Sequence, residues 1–483
     1  MIMISEPPVR WRGPLSPLVH LANNWISLLG VVIVTTATVF WLFLLPTTLK
    51  GEAATPYIGI LSYMGLPTVF FVGLFLIPAG IWLRNRKERR AGIYPASFPP
   101  LDFRNRELRR LVAFFVLTTL VNIVIASQVT YAAVNYMDST SFCGLTCHKV
   151  MQPEYTAFQN SPHARLECVN CHIGPGASWF VRSKLSGVGQ VFAVMFNTYP
   201  RPIPSPVHNL RPARETCETC HWPQKYSEDR LRVFPKFAED ENNTLTKTVM
   251  LLKIGGGNKG IGIHGTHLGP GVKIRYIPAD EARQTINWVE YNNSNDKRKT
   301  LYLAANTKAD PGAGANIREM DCMDCHNRPS HSYELPERAV DNAMYSGLIS
   351  PALPFARKKS VELLRATYAS REEAARKIPA EWASFYEKSY PAVYAEHKDE
   401  VASSGRAVLA IYNRNIFPDM NVTWGHYPNN IGHTDFPGCF RCHDDSHVSS
   451  DGRKITQDCS ACHNLLAMEE ANPKILTDLG MAK

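Results

Sequence analysis

The chain has 483 residues, 52 Lys and Arg against 43 Asp and Glu, a formal net charge of +9 and 45% hydrophobic residues. That length exceeds one small domain, and the apolar share excludes a disordered chain. Nine Lys or Arg against three acidic residues fall within the single stretch 84–110, so the basic balance is local and no nucleic-acid partner is expected.

Three charge-free stretches come first, at about 25–45 (WISLLGVVIVTTATVFWLFLL), 57–83 and 111–134. Each meets the roughly 20-residue length of an apolar helix crossing a bilayer. Residues 1–137 therefore read as a membrane anchor of three transmembrane helices, the second bent at Pro67 and Pro78. The basic stretch 84–110 and Arg10 and Arg12 belong on the cytoplasmic side, so the third helix delivers everything after it to the periplasm. No short apolar run with a small-residue cleavage site opens the chain, and the first helix reads as retained. Histidine is absent between His20 and His148, so no haem held by histidines is expected between the membrane helices.

The cysteines carry the chemistry. Cys168-Val-Asn-Cys171-His172, Cys217-Glu-Thr-Cys220-His221, Cys322-Met-Asp-Cys325-His326, Cys439-Phe-Arg-Cys442-His443 and Cys459-Ser-Ala-Cys462-His463 each have the spacing of covalent haem c attachment. Two thiols add across the two haem vinyl groups, and the next histidine reaches the iron. A zinc site would need a second ligand pair. The two remaining cysteines, Cys143 and Cys147, are separated by three residues instead of two and precede His148. One extra spacer lengthens the loop without moving a thiol out of reach, so this too reads as haem attachment, with a Cys143–Cys147 disulfide as the alternative. The expectation is six covalent haems.

Residues 138–226 carry haems 1–3. Residues 227–320 form a β-rich insertion, in which TKTVMLLKI, GVKIRYI, INWVEYN and KTLYLAA alternate apolar and polar positions. GGGNKGIG at 255–262 lacks the terminal Gly-Lys-Ser/Thr of a phosphate loop and reads as a turn. Residues 321–483 hold haem 4, a helical linker over 333–412, and haems 5 and 6. The fold class is thus an α-helical membrane anchor plus a periplasmic multihaem domain, mostly α or irregular with a small β-rich part.

Six-coordinate haems need second axial ligands, and imidazole and thioether suit electron transfer. His163, His331, His433 and His447 lie close to attachment motifs and are the preferred candidates. His264 and His267, in IHGTH, are expected to supply one ligand between them, His267 being taken, with the other an ordinary surface histidine. His426 and His208 are substitutes, His397 lies in a charged helical run and reads as solvated, and Met151 is the thioether candidate for haem 1.

A membrane helix leading into CGLTCHKVM, then SPHARLECVNCH, CETCH and CMDCHNRPSH, resembles the NapC/NirT family of membrane-anchored quinol dehydrogenases. The resemblance covers 111–221 and 322–331 and implies ligand roles for His163 and His331. Three anchor helices, the β-rich insertion and two further haems make the larger architecture similar to ImcH-type inner-membrane cytochromes of metal-reducing bacteria. The family implies a quinol site near haem 1 that uses a lysine and an acidic residue. Segment 176–200 supplies Lys184 on an apolar, aromatic-rich stretch suited to a membrane interface, where contact with lipid phosphates is the alternative role for Arg182 and Lys184. No Asp or Glu occurs between Ile173 and Arg214, so Glu154 and Asp138 are the proton-acceptor candidates.

The reading is a quinol dehydrogenase of the bacterial inner membrane. It takes electrons from quinol or menaquinol in the membrane pool at the periplasmic face and passes them to periplasmic c-type cytochromes. The alternatives are a non-catalytic wire docked to another membrane subunit, a relay that reduces quinone in the opposite direction, and a membrane-anchored terminal reductase.

Overall fold

The computed structural model describes residues 16–22, 24–49, 64–95, parts of 116–128, 131–146, 148–207, 210–222, 225, 228–256, 260–295 and 297–481. They form two compact units, Met1–Asp138 and Ser139–Lys483.

In the first unit, helices Trp25–Leu49 and Leu66–Arg90 pack against each other, with Ser16–Ala22 beside the second. Small residues permit the approach: a Cβ on Gly30 would lie 2.7 Å from the Gly73 carbonyl oxygen, and one on Gly80 2.6 Å from Ser27 Oγ. Ser27 Oγ donates to Ile77 O at 2.9 Å. Among the described residues, Leu66–Arg90 is the one helix long and apolar enough to cross a membrane. Of the second expected span, 57–83, residues 57–63 lie outside the described residues, and the described helix runs from Leu66. It continues through the basic run to Arg90, because Arg and Lys are good helix formers and sit at the helix C-terminus. The first expected span lies within Trp25–Leu49, while most of the third, 111–134, lies outside the described residues.

The second unit holds all the attachment motifs. Strands β1 (Arg230–Phe237) and β2 (Leu245–Leu252) form a hairpin, and β8 (His463–Glu470) adds to β2. Strands β3 (Val272–Pro278), β4 (Ile286–Asn293) and β5 (Arg298–Leu303) form an antiparallel sheet, edged by β6 (Arg318–Glu319) and β7 (Val448–Ser449). The 227–320 segment thus does not close on itself, since C-terminal strands complete both sheets. Helices Pro336–Tyr345, Ala356–Arg365, Arg371–Ser389 and Lys398–Asn415 fill the expected helical linker and pack around fully buried Trp382 and Tyr386. Ser370 caps the third of these by accepting from Glu373 N–H. Trp382 satisfies its indole N–H on Val401 O at 2.9 Å.

Candidate functional site

Three attachment motifs sit on a single helical turn: Cys168–His172, Cys322–Cys325 and Cys459–Cys462 are helical throughout their cysteines. A turn puts residues i, i+3 and i+4 on one side, so two thiols and the following imidazole converge. Asp321 and Asp458, each preceding a first cysteine, cap two of these turns through Met323 N–H and Ser460 N–H. The odd-spaced motif differs in the way its extra residue requires. Phe142–Thr146 is a five-residue π-helical turn, whose wider ring takes up one more residue between thiols. Gly144 faces the Tyr155 ring so closely that a Cβ would lie 1.9 Å from Tyr155 Cδ2. Cys143 is half-buried, whereas Cys147 and the His148 side chain lie outside the described residues.

Five attachment histidines each face a second imidazole. Ring centroids are 6.1 Å apart for His172 and His331, 6.0 Å for His221 and His163, 6.3 Å for His326 and His264, 5.8 Å for His443 and His267, and 6.3 Å for His463 and His433. Two metal–nitrogen bonds of about 2 Å on opposite faces of one metal hold imidazole centroids roughly 6 Å apart, so every pair fits a shared iron. Main-chain carbonyls orient the rings. His331 Nδ1 donates to Glu154 O at 3.0 Å, His163 Nδ1 to Pro329 O at 3.2 Å, His267 Nδ1 to Ile263 O at 2.7 Å and His443 Nδ1 to Thr456 O at 2.9 Å. Each bond fixes the tautomer that leaves Nε2 as the ligating atom. Burial pushes His172, His264, His267 and His326 below the usual histidine range, and His331 to about 4, so these rings are neutral as metal binding requires.

Two sequence expectations change. His264 and His267 both face attachment histidines. They sit three residues apart on the helix Gly262–Leu268, reached by a turn in which Gly255, Gly260 and Gly262 have positive φ, and they look towards different motifs. His447 is not available to iron. It is 1% exposed, and its Nδ1 and Nε2 bond Asp444 Oδ1 at 2.8 Å and Ile286 O at 2.9 Å, so both nitrogens are consumed. His426 meets Tyr427 edge-on, His397 is half-buried near Glu400, and His208 lies outside the described residues. Met151 packs against the buried cluster that contains Val150 and Phe417.

The motifs meet in chain order. The Cys143 and Cys168 side chains hydrogen-bond each other, as do Cys217 and Cys322. Cys171 and Cys220 are electrostatic neighbours, as are Cys325 and Cys442, and Cys439 and Cys462. Large apolar side chains stand exposed beside the motifs: Leu145, Leu166, Trp222, Ile431 and Leu465. Paired imidazoles, adjoining thiols and apolar walls are the donor set and surroundings that a covalently held porphyrin needs.

The quinol-site candidates are not brought together among the described residues. Glu154 lies on the helix His148–Gln159, with Oε2 buried and unpaired near Arg328, and burial pushes its carboxyl up to about 7. Arg328 Nε and Tyr333 Oη in the same neighbourhood are also buried without a hydrogen-bond partner. Asp138 is the last residue of the other unit, and the Lys184 side chain lies outside the described residues. Lys184's helix, Ala177–Met195, leaves Leu185, Phe192 and Met195 exposed, continued by Phe196, and stacks Arg182 over Trp179 at 5.2 Å.

Residues 105–202 match the N-terminal region of the NapC/NirT cytochrome c family. The chain is 41% identical over 459 residues to the cytochrome c-type protein ImcH of Geobacter sulfurreducens, covering 93% of this chain and 89% of that one. It is 31% identical over 92 residues to the cytochrome c-type protein NrfH of Wolinella succinogenes, covering 18% of this chain and 51% of that one. No solved structure matches. With its attachment motifs and paired imidazoles, the chain belongs to the NapC/NirT-type c cytochromes that serve electron transport.

Proposed function

We propose that this cytochrome oxidises quinol at the periplasmic face of the inner membrane and relays the electrons through six haems to periplasmic c-type cytochromes. The observation that carries the reading is the set of five imidazole pairs at iron-spanning separation, on motifs that adjoin one another in chain order. Covalently bound haem c supplies one-electron transfer at low-spin iron. The twelve cysteines attach it. His148, His172, His221, His326, His443 and His463 would hold the irons together with Met151, His331, His163, His264, His267 and His433, in the same order. A second imidazole opposite each of five attachment histidines leaves no place there for a substrate, which disfavours the terminal reductase.

The exposed apolar face of Ala177–Met195 seats this part of the chain on the bilayer, and residues 1–137 supply a multi-pass anchor. Lys184 hydrogen-bonds a quinol oxygen, and Glu154 accepts a proton, because a carboxyl raised to about 7 is partly ionised at neutral pH and basic enough to take one up. Asp138 is the second acceptor. The test is to mix purified protein with a reduced menaquinol analogue and follow the haem α-band. Direct reduction, lost in Lys184→Ala, is expected. No reduction of the wild type would favour the wire docked to another membrane subunit.

A further inference from the structure

Arg441 is the second spacer residue of the Cys439–Cys442 motif and is 9% exposed. Its guanidinium donates only to main-chain carbonyls: Gly438 O at 2.8 Å, Arg283 O at 2.8 Å and Asp324 O at 2.5 Å. Gly438 belongs to the fifth motif's turn, Asp324 to the fourth motif's spacer, and Arg283 to the β3–β4 connection. One side chain therefore joins the two motifs and the sheet. The nearby carboxylate of Asp324 is already engaged. It accepts from Tyr276 Oη and Asp321 N–H and lies 3.7 Å from Arg283. The Arg441 charge is thus solvated by dipoles and neutralised by no hydrogen-bonded acid, and its positive field reaches both Cys325 and Cys442.

We infer that Arg441 is a fixed buried cation that raises the reduction potentials of haems 4 and 5 relative to the rest of the chain. Reduction removes one positive charge from an iron, and a cation buried against both attachment turns would favour the reduced form of the haem held by each. Electrons arriving from haems 1–3 then find haems 4 and 5 energetically downhill, which draws them out of the N-terminal motifs. Arginine suits this role because it stays charged when buried and its planar fork satisfies three carbonyls at once. The inference rests on the six-haem reading above.

The test is a redox titration of the α-band in wild type, Arg441→Lys, Arg441→Met and Arg441→Gln, with haem content of each preparation measured as the pyridine haemochrome. The expected result is six haems throughout, two of the six moving to lower potential in both neutral variants, and a wild-type curve for Arg441→Lys. An unchanged curve in a neutral variant holding six haems overturns the inference. So does an equal displacement in Arg441→Lys, which would make shape and not charge the agent. Loss of haem from both neutral variants, with the lysine variant intact, also overturns it by assigning Arg441 to assembly. A wild type with fewer than six haems sinks the underlying reading, and the haemochrome separates that failure from the others.

Discussion

His443 and His447 stand four residues apart on one loop, and their neighbours give them opposite chemistry. His443 spends Nδ1 on Thr456 O and turns towards His267, whereas His447 spends both nitrogens on Asp444 and Ile286. His447→Ala is therefore expected to keep every haem low-spin while lowering stability by about 1–3 kcal/mol, the range for unpairing a buried polar group. His264→Ala and His267→Ala should each convert one haem to a high-spin, five-coordinate state, visible in the electron paramagnetic resonance spectrum. An unchanged low-spin count in either variant would remove that residue from the ligand set. Glu154 has its own signature. Its proton-accepting form accumulates as pH rises through about 7, so quinol oxidation should climb across that value in the wild type. Glu154→Gln should flatten the climb and slow the rate tenfold or more, about the low end of general-base effects.

Among the elements, the π-helical turn at Phe142–Thr146 has a wider backbone ring than an ordinary helical turn, which suits the proposed haem attachment at a motif with three spacer residues. Gly144→Ala forces a methyl into the Tyr155 ring, so one haem fewer is expected by pyridine haemochrome, and Tyr155→Ala in the same chain should restore it. The β3–β4–β5 sheet carries a second prediction. Burial alone would push the Glu290 carboxyl up. Hydrogen bonds from Arg275 at 2.8 Å and an ion pair with Lys299 at 3.2 Å more than reverse this, leaving it below the usual range. A depressed carboxylate stabilises the fold above its unfolded pKa, and that contribution is lost as pH falls through the folded value. Thermal melts should show wild type losing its advantage over Glu290→Gln on acidification below about pH 4.5. β2 to β5 were legible in the sequence because alternating apolar positions mark a half-buried sheet. β8 was not. It begins at an attachment histidine and, of HNLLAMEE, buries only Ala467, so nothing local distinguishes it from a loop.

At the scale of the whole molecule, the covalent chemistry was readable and the axial pairing was not. Cys-x-x-Cys-His is local, so attachment is visible residue by residue. The partner imidazoles come from afar: His331 crosses back to His172, His163 reaches forward to His221, and His264 and His267 part towards His326 and His443. Spacing along the chain says only that IHGTH is a pair on one short helix. Pairing of β2 with β8 places the His463 motif next to this segment, where Lys253 N–H donates to Cys462 O at 2.9 Å. The same interlocking makes the second unit depend on attachment throughout, because each proposed iron would tie together segments distant in sequence. The central claim, that twelve cysteines hold six haems, is tested most directly by the mass of the denatured protein. The account predicts the polypeptide mass plus six haem additions, including one on the Cys143–Cys147 loop. Five or fewer additions would contradict it.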